Sequence, residues 1–198
     1  MSATALLDNR LMSFIAAYEP DREGGTAPAA EIRTATRSDA TVLALLEQGV
    51  RPGDVDARIA SLCDAVEDPE HLVVLASVDS EPVGYGRVAY LARDVDDAPA
   101  GYYLAGVTVA RRWRRRGLAA DLTAARLAWI WRRSEVAWYF SNVQNLASLA
   151  LHETFGFVEA DRSPSFQGIT FAGGVGVLLR AGRPVSDEVS ARRGSPDG

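Results

Sequence analysis

Not one lysine occurs in the 198-residue chain; all 21 basic residues are arginine. That absence excludes a Schiff-base lysine, a lysine nucleophile and the phosphate-loop lysine of Walker-type sites. Cysteine is nearly as scarce. The single Cys63 excludes a disulfide within the chain, and in ARIASLCDAVED it falls at helical spacing among apolar residues, the place of a small buried hydrophobe rather than a reactive thiol. A basic surplus is missing too, the net charge being −5. A general nucleic-acid binder needs such a surplus to neutralise phosphates, so any basic site here is local. No window approaches the length of a membrane span, and MSATALLDNR lacks the basic segment and apolar core of a secretion signal. A soluble, cytoplasmic protein without a metal site is the expectation.

What is there suffices for one good core, with 47% of the residues apolar. The expected organisation is an N-terminal extension and linker over 1–29, one domain over 30–182 and a loose polar tail over 183–198. Leu7, Leu11, Phe14, Ile15 and Tyr18 lie near one helical face, so residues 1–18 read as a short helix. EIRTAT reads as a strand, Ser38 and Asp39 as caps for TVLALLEQGV, and a second helix runs from about Asp54 to Glu67. HLVVLASVD and PVGYGRVAYLAR form an antiparallel hairpin, and YYLAGVTVA is a further strand. From Gly117 a helix places Leu118, Leu122, Ala125 and Trp129 on one face and Leu127 and Trp131 on the other. The strand VAWYFSN, a helix from Asn145 to Phe155, and the β stretches FVEADR and ITFAGGVGVLLR complete the order β-α-α-β-β-β-α-β-α-β-β. That order predicts an α/β sandwich with a mixed, mostly antiparallel sheet flanked by helices.

Two stretches carry chemistry. RRWRRRG, Arg111 to Gly117, follows a strand and opens a helix. Backbone N–H groups of such a loop and first turn converge at the positive end of the helix dipole and suit phosphate, with arginines adding charge-assisted bonds. A charge run alone is more often a solvated turn; the strand and helix around it favour the anion site. GYGRVA, Gly84 to Ala89, formally fits the dinucleotide pattern G-x-G-x-x-A but continues into strand, so the required strand-to-helix turn is absent. In NLASLALHETFGF, Asn145, Ser148 and His152 share one helix face, with Asn145 an N-cap and Gly156 a C′ residue.

Together these stretches resemble the GNAT superfamily of N-acetyltransferases. Its pyrophosphate pattern, [Q/R]-x-x-G-x-[G/A], is matched by Arg114-Arg115-Arg116-Gly117-Leu118-Ala119 after the strand VTV. Its second pattern, N-x-x-A-x-x-x-Y-x-x-x-G-F, is matched by Asn145, Ser148, His152, Gly156 and Phe157, with serine for the alanine and histidine for the tyrosine. The resemblance spans roughly Glu31 to Arg180. It implies a GNAT-type sheet and an acetyl-CoA donor. Backbone groups of Val107, Thr108 and Val109 on a splayed strand would meet the pantetheine arm, and the loop Arg114 to Ala120 the pyrophosphate. Arg111, Arg112 or a neighbour would reach the 3′-phosphate, and Asn145 the pantetheine or thiol end.

The reaction implied is direct acetyl transfer to an amine of a small molecule or peptide. The oxyanion needs a donor near Val107 to Val109 and the departing thiolate a proton. His152 stands where the family keeps a tyrosine general acid; Tyr103 and Tyr139 are the reserves. Asp94, Asp96, Asp97 and Glu135 read as solvated acids able to attract a cationic amine, leaving a water chain to take its proton. Gln48 to Asp54, Asp94 to Ala100 and Pro164 to Ile169 are the expected specificity regions. A GNAT fold that binds acetyl-CoA without turnover, a nucleic-acid module built on RRWRRR and Trp113, and a homodimer remain open alternatives.

Overall fold

The computed structural model describes residues 29–184 apart from Ala172, together with Gly25. The helix expected over 1–18 and nearly all of the expected tail lie outside the described residues. Among the described residues nine strands and four α-helices follow in order: β1 Glu31–Thr34, α1 Ala40–Val50, α2 Val55–Glu67, β2 Leu72–Val78, β3 Glu81–Leu91, β4 Gly101–Val109, α3 Leu118–Ile130, β5 Val136–Asn142, α4 Leu146–Glu153, β6 Val158–Ser163, β7 Ser165–Phe166, β8 Ile169–Thr170 and β9 Gly176–Gly182. Seven strands form one sheet in the order β1-β2-β3-β4-β5-β9-β6, and β7 and β8 form a separate small hairpin. Every pair in the large sheet is antiparallel except β4 with β5. Among the described residues no helix is long and apolar enough to cross a membrane.

Alternation along the strands divides the core between two faces. Leu72, Val74, Leu104 and Val109 point to α3, where they pack on Leu118, Leu122, Leu127 and Ile130. Val73, Leu75 and Tyr85 point the other way, onto Leu43, Ala44 and Leu62 of α1 and α2. Beside them Phe166 and Ile169 of the small hairpin cover Tyr103 and Phe140. Leu118 and Leu122 are 2% and 0% exposed, and each such burial contributes about 1.5–3 kcal/mol.

The fold departs from expectation at three places. ITFAGGVGVLLR is two strands, β8 and β9, because positive φ at Gly173 and Gly174 turns the chain between them. Asp39 stands at the N-cap of α1 but its carboxylate reaches back, accepting from the Thr36 N–H at 2.7 Å and from Arg33 at 2.8 Å. On α3 the sheet-facing stripe is Leu118, Leu122, Arg126 and Ile130, with Thr123 and Leu127 beside it, while Ala125 and Trp129 are only half-buried. An arginine therefore occupies the middle of a buried apolar stripe.

Candidate active site

Beyond one point, β4 and β5 stop being neighbours. Their only register pair is Tyr103↔Trp138, after which β4 follows β3 and β5 follows β9. Two steps along β3, from Gly86 to Val88, face three along β4, from Val107 to Leu104, which defines a bulge at Ala105 and Gly106. Gly106 takes φ +85° there. The Ala110 N–H donates to the Val83 carbonyl at 2.9 Å, so Thr108 also faces β3. Val107 and Val109 turn their backbone groups toward the gap.

The chain leaving β4 makes a 3-10 turn, Arg111–Trp113, then passes through Arg115 at φ +61° and Gly117 at φ +81° into α3. Alternating left-handed residues turn successive N–H groups inward as an anion nest. Ala120 and Asp121 donate to the Gly117 carbonyl at 2.8 and 3.1 Å, so the helical bonds begin there and Leu118 and Ala119 precede the first carbonyl they could reach. A Cβ on Gly117 would meet nothing within 4 Å. The nest is open, and it fits a phosphate.

The five arginines around it are not equivalent. Arg112 pairs with Glu81, Arg116 lies over the Trp113 ring at 5.2 Å, and Arg114 donates from Nε to the Val109 carbonyl at 3.2 Å. Burial, with Arg111 nearby, lowers the Arg114 pKa from its ordinary value. Arg111 and Arg115 are exposed.

On α4 the expected face assembles, with changes of role. Asn145 is the N-cap by position, and its carbonyl accepts from the N–H groups of Ser148 and Leu149 at 3.0 Å. Its side chain does not cap; Nδ2 donates to Ser141 Oγ at 3.2 Å. Gly156 closes the helix as expected: at φ +77° its N–H donates to Glu153, while Phe157 donates to His152, the paired bonds of a Schellman motif. His152 is 1% exposed. Its Nδ1 donates to the Ser148 carbonyl at 2.7 Å, since a carbonyl can only accept. Burial pushes its pKa down to about 3, with the Arg126 charge adding to the effect. The imidazole is thus neutral, its one proton spent on a backbone carbonyl, and Nε2 is buried without a partner. This geometry counts against the expected general acid: the Nδ1 proton is bound to a backbone carbonyl, and burial disfavours a second proton on Nε2.

Tyr139, on β5, stacks on His152 and shares a 2.6 Å hydrogen bond between its hydroxyl and Ser148 Oγ. Burial raises its pKa, which keeps the phenol protonated. Tyr103 lies elsewhere, on the opposite face of the sheet, donating to the Pro99 carbonyl at 2.6 Å. Its place in a separate cluster divides it from the other two candidates.

The acids expected to greet an amine are partly loop braces. Asp94 accepts from the Ala100 N–H at 2.6 Å and Asp96 from Gly168 at 2.9 Å, while Glu135 pairs with Arg183. Gln167 Nε2 donates to the carbonyls of Arg93 and Ala98, each at 3.0 Å, so two of the expected specificity regions are one connected unit. Among the described residues no cluster of histidine, cysteine and acidic side chains is arranged to hold a metal ion.

Among the described residues four buried charges, Glu47, Arg58, Arg87 and Arg126, have no place in the sequence analysis. Glu47, 3% exposed, accepts from the Tyr85 hydroxyl and pairs with Arg51 and Arg58. Arg126, 0% exposed, donates to the carbonyls of Leu122, Arg87 and Gly106 and to Thr123 Oγ1. The signal for Arg126 was its place, four residues from both Leu122 and Ile130.

Solved structures share this architecture at low identity. A ribosomal-protein-alanine N-acetyltransferase of Brucella melitensis is 22% identical, with TM-score 0.63, covering 77% of this chain and 99% of its own. A putative acetyltransferase of Salmonella typhimurium, solved with its cofactor acetyl-CoA, is 18% identical with TM-score 0.62, over 85% and 98% of the two chains. An aminoglycoside antibiotic 6′-N-acetyltransferase of Acinetobacter baumannii is 21% identical with TM-score 0.60, over 70% and 97%. No curated protein matches in sequence. A sequence model of the acetyltransferase (GNAT) family does match, over residues 40–157. That span contains the parted strands, the left-handed loop and α4, and the chain belongs to the GNAT acetyltransferase family.

Proposed function

We propose that the protein transfers an acetyl group from acetyl-CoA directly to an amine of a small molecule or peptide. The observation that carries this reading is the parting of β4 and β5 beside a left-handed nest at the head of α3. One end offers N–H groups to a pyrophosphate, and the gap offers strand backbone to the amides of a pantetheine arm.

Each step then has a group on this chain. The N–H groups of Arg116, Gly117, Leu118 and Ala119 hold the pyrophosphate, those of Arg114 and Ala120 being taken by the Arg111 and Gly117 carbonyls, with Arg111 and Arg115 screening its charge. The Val107 carbonyl and the Val109 N–H pair with the pantetheine, and Thr108 holds β4 against β3. The amine nitrogen attacks the thioester carbon, forming the C–N bond, and the oxyanion meets the Val107 N–H. When the C–S bond breaks, the thiolate takes a proton from the half-buried Ser148 hydroxyl, which is replenished by Tyr139. Asn145, at the mouth of α4, aligns the thiol end. His152 acts by stacking on Tyr139. The proton lost by the amine leaves through water, and water returns a proton to the Tyr139 hydroxyl, which closes the cycle.

Titration with acetyl-CoA, followed by thiol release with a panel of amines including aminoglycosides, polyamines and peptide N-termini, tests this reading. Saturable binding with acceptor-dependent thiol release is expected. Absence of binding overturns the donor site, and binding without release under every acceptor favours a sensor of acetyl-CoA instead.

A further inference from the structure

Among the described residues Arg126 is the largest fully buried side chain, and the groups it contacts are neutral. A guanidinium buried among carbonyls is costly for a fold to keep, and such costs gather at functional sites. Its charge survives that burial: the pKa falls only to about 10. Room for it is built in. A Cβ on Gly86 would stand 2.8 Å from Arg126 Nε, so the second glycine of GYGRVA, which serves no dinucleotide, makes space for the guanidinium.

Where that charge is spent matters more. Nη1 donates at 2.9 Å to the carbonyl of Gly106, the positive-φ residue of the β4 bulge. Nη2 is held at 2.8 Å by Thr123 Oγ1, and that hydroxyl donates to the Ala119 carbonyl at 2.8 Å. The Gly106 carbonyl shares its peptide group with the Val107 N–H, and in a trans peptide the two point in opposite directions. A cation on the oxygen draws electrons through the amide and strengthens the N–H as a donor.

We propose that Arg126 is a positioning residue for acetyl transfer, polarising the Gly106–Val107 peptide and aiming the Val107 N–H at the thioester carbonyl in the gap between β4 and β5. The inference rests on the proposed function of that gap. It explains why a charge occupies the middle of an apolar helix stripe, and why its contacts converge on the bulge.

Acetyl-CoA carrying carbon-13 at the thioester carbonyl, bound without acceptor to the wild-type protein, reads the polarisation directly as a downfield shift. In Arg126→Met the resonance moves back toward its free position, kcat falls about tenfold or more, and KM for acetyl-CoA changes by less than about twofold. Arg126→Lys restores part of both the shift and kcat. Thr123→Val, which loosens the guanidinium while keeping the side-chain volume, gives a smaller change in the same direction and decides the matter if the methionine variant does not fold. A wild-type protein that binds no acetyl-CoA overturns the proposed function itself. Wild-type binding and turnover with an unmoved resonance in the folded variants, or an equal loss in Met and Lys with KM rising in step, overturns the role of Arg126 alone.

Discussion

The imidazole of His152 lies flat on the ring of Tyr139, with centroids 3.6 Å apart and planes within 5°. This stack joins α4 to β5, and it makes a histidine a structural partner of the phenol beside it. Its burial has a pH signature. The folded pKa, about 3, lies below the ordinary 6.5, so the unfolded chain binds a proton first as pH falls. Stability is full above about pH 6.5 and declines toward pH 3, by at most about 1.4 kcal/mol per pH unit for this one group. Urea unfolding across that range should show the decline, and His152→Phe should flatten it. A variant with the wild-type slope would remove His152 as its origin. By the same reasoning the pH profile of kcat should carry no limb near 6.5 that disappears in His152→Phe.

Gly117 is the residue of the nest least open to substitution. At φ +81° an alanine is strained by about 1 kcal/mol, and its Cβ, which meets nothing within the protein, would stand where a phosphate approaches. Gly117→Ala should lower acetyl-CoA affinity by about tenfold or more, a larger effect than its loss of stability explains. Calorimetric titration beside thermal unfolding separates the two, and undiminished affinity would remove the nest from the donor site.

Glu47 anchors α1 to the sheet through Tyr85 and is flanked by Arg51 and Arg58. Removing one member of a buried charged set strands the others, so Glu47→Ala should cost about 3–5 kcal/mol in denaturant unfolding. A loss under about 1 kcal/mol would show that the cluster readily rehydrates.

Arg112 and Glu81 form an exposed pair, with side chains 65% and 55% accessible. Solvent screening limits it, and Arg112→Ala should change stability by less than about 1 kcal/mol. With that side chain engaged by Glu81, acetyl-CoA affinity should also stay within about twofold. A larger loss, abolished by salt, would reassign Arg112 to a phosphate.

The two signature stretches were legible because each is local. A strand, a turn needing positive φ at Gly117 and a helix are dictated by neighbouring residues, as is the Schellman closure at Gly156. GYGRVA is strand, within β3, for the same local reason. The burial of Arg126 was marked only by its spacing from Leu122 and Ile130, because helical periodicity counts apolar residues and a cation in the stripe reads as an interruption of the buried face. The division of Tyr103 from Tyr139 was not legible, because the face each takes depends on the register of β4 with β5, where Tyr103 lies opposite Trp138.

Local sequence was therefore enough for the order of elements, the anion nest and the expectation of an acetyl-CoA site, since backbone conformation there depends on nearby side chains. Packing across the sheet settled the rest. It left His152 neutral, because burial disfavours its charged form more strongly than the Ser148 carbonyl favours it. It likewise brought Arg126 to Gly106, residues from a helix and a strand whose meeting depends on how α3 crosses β3 and β4.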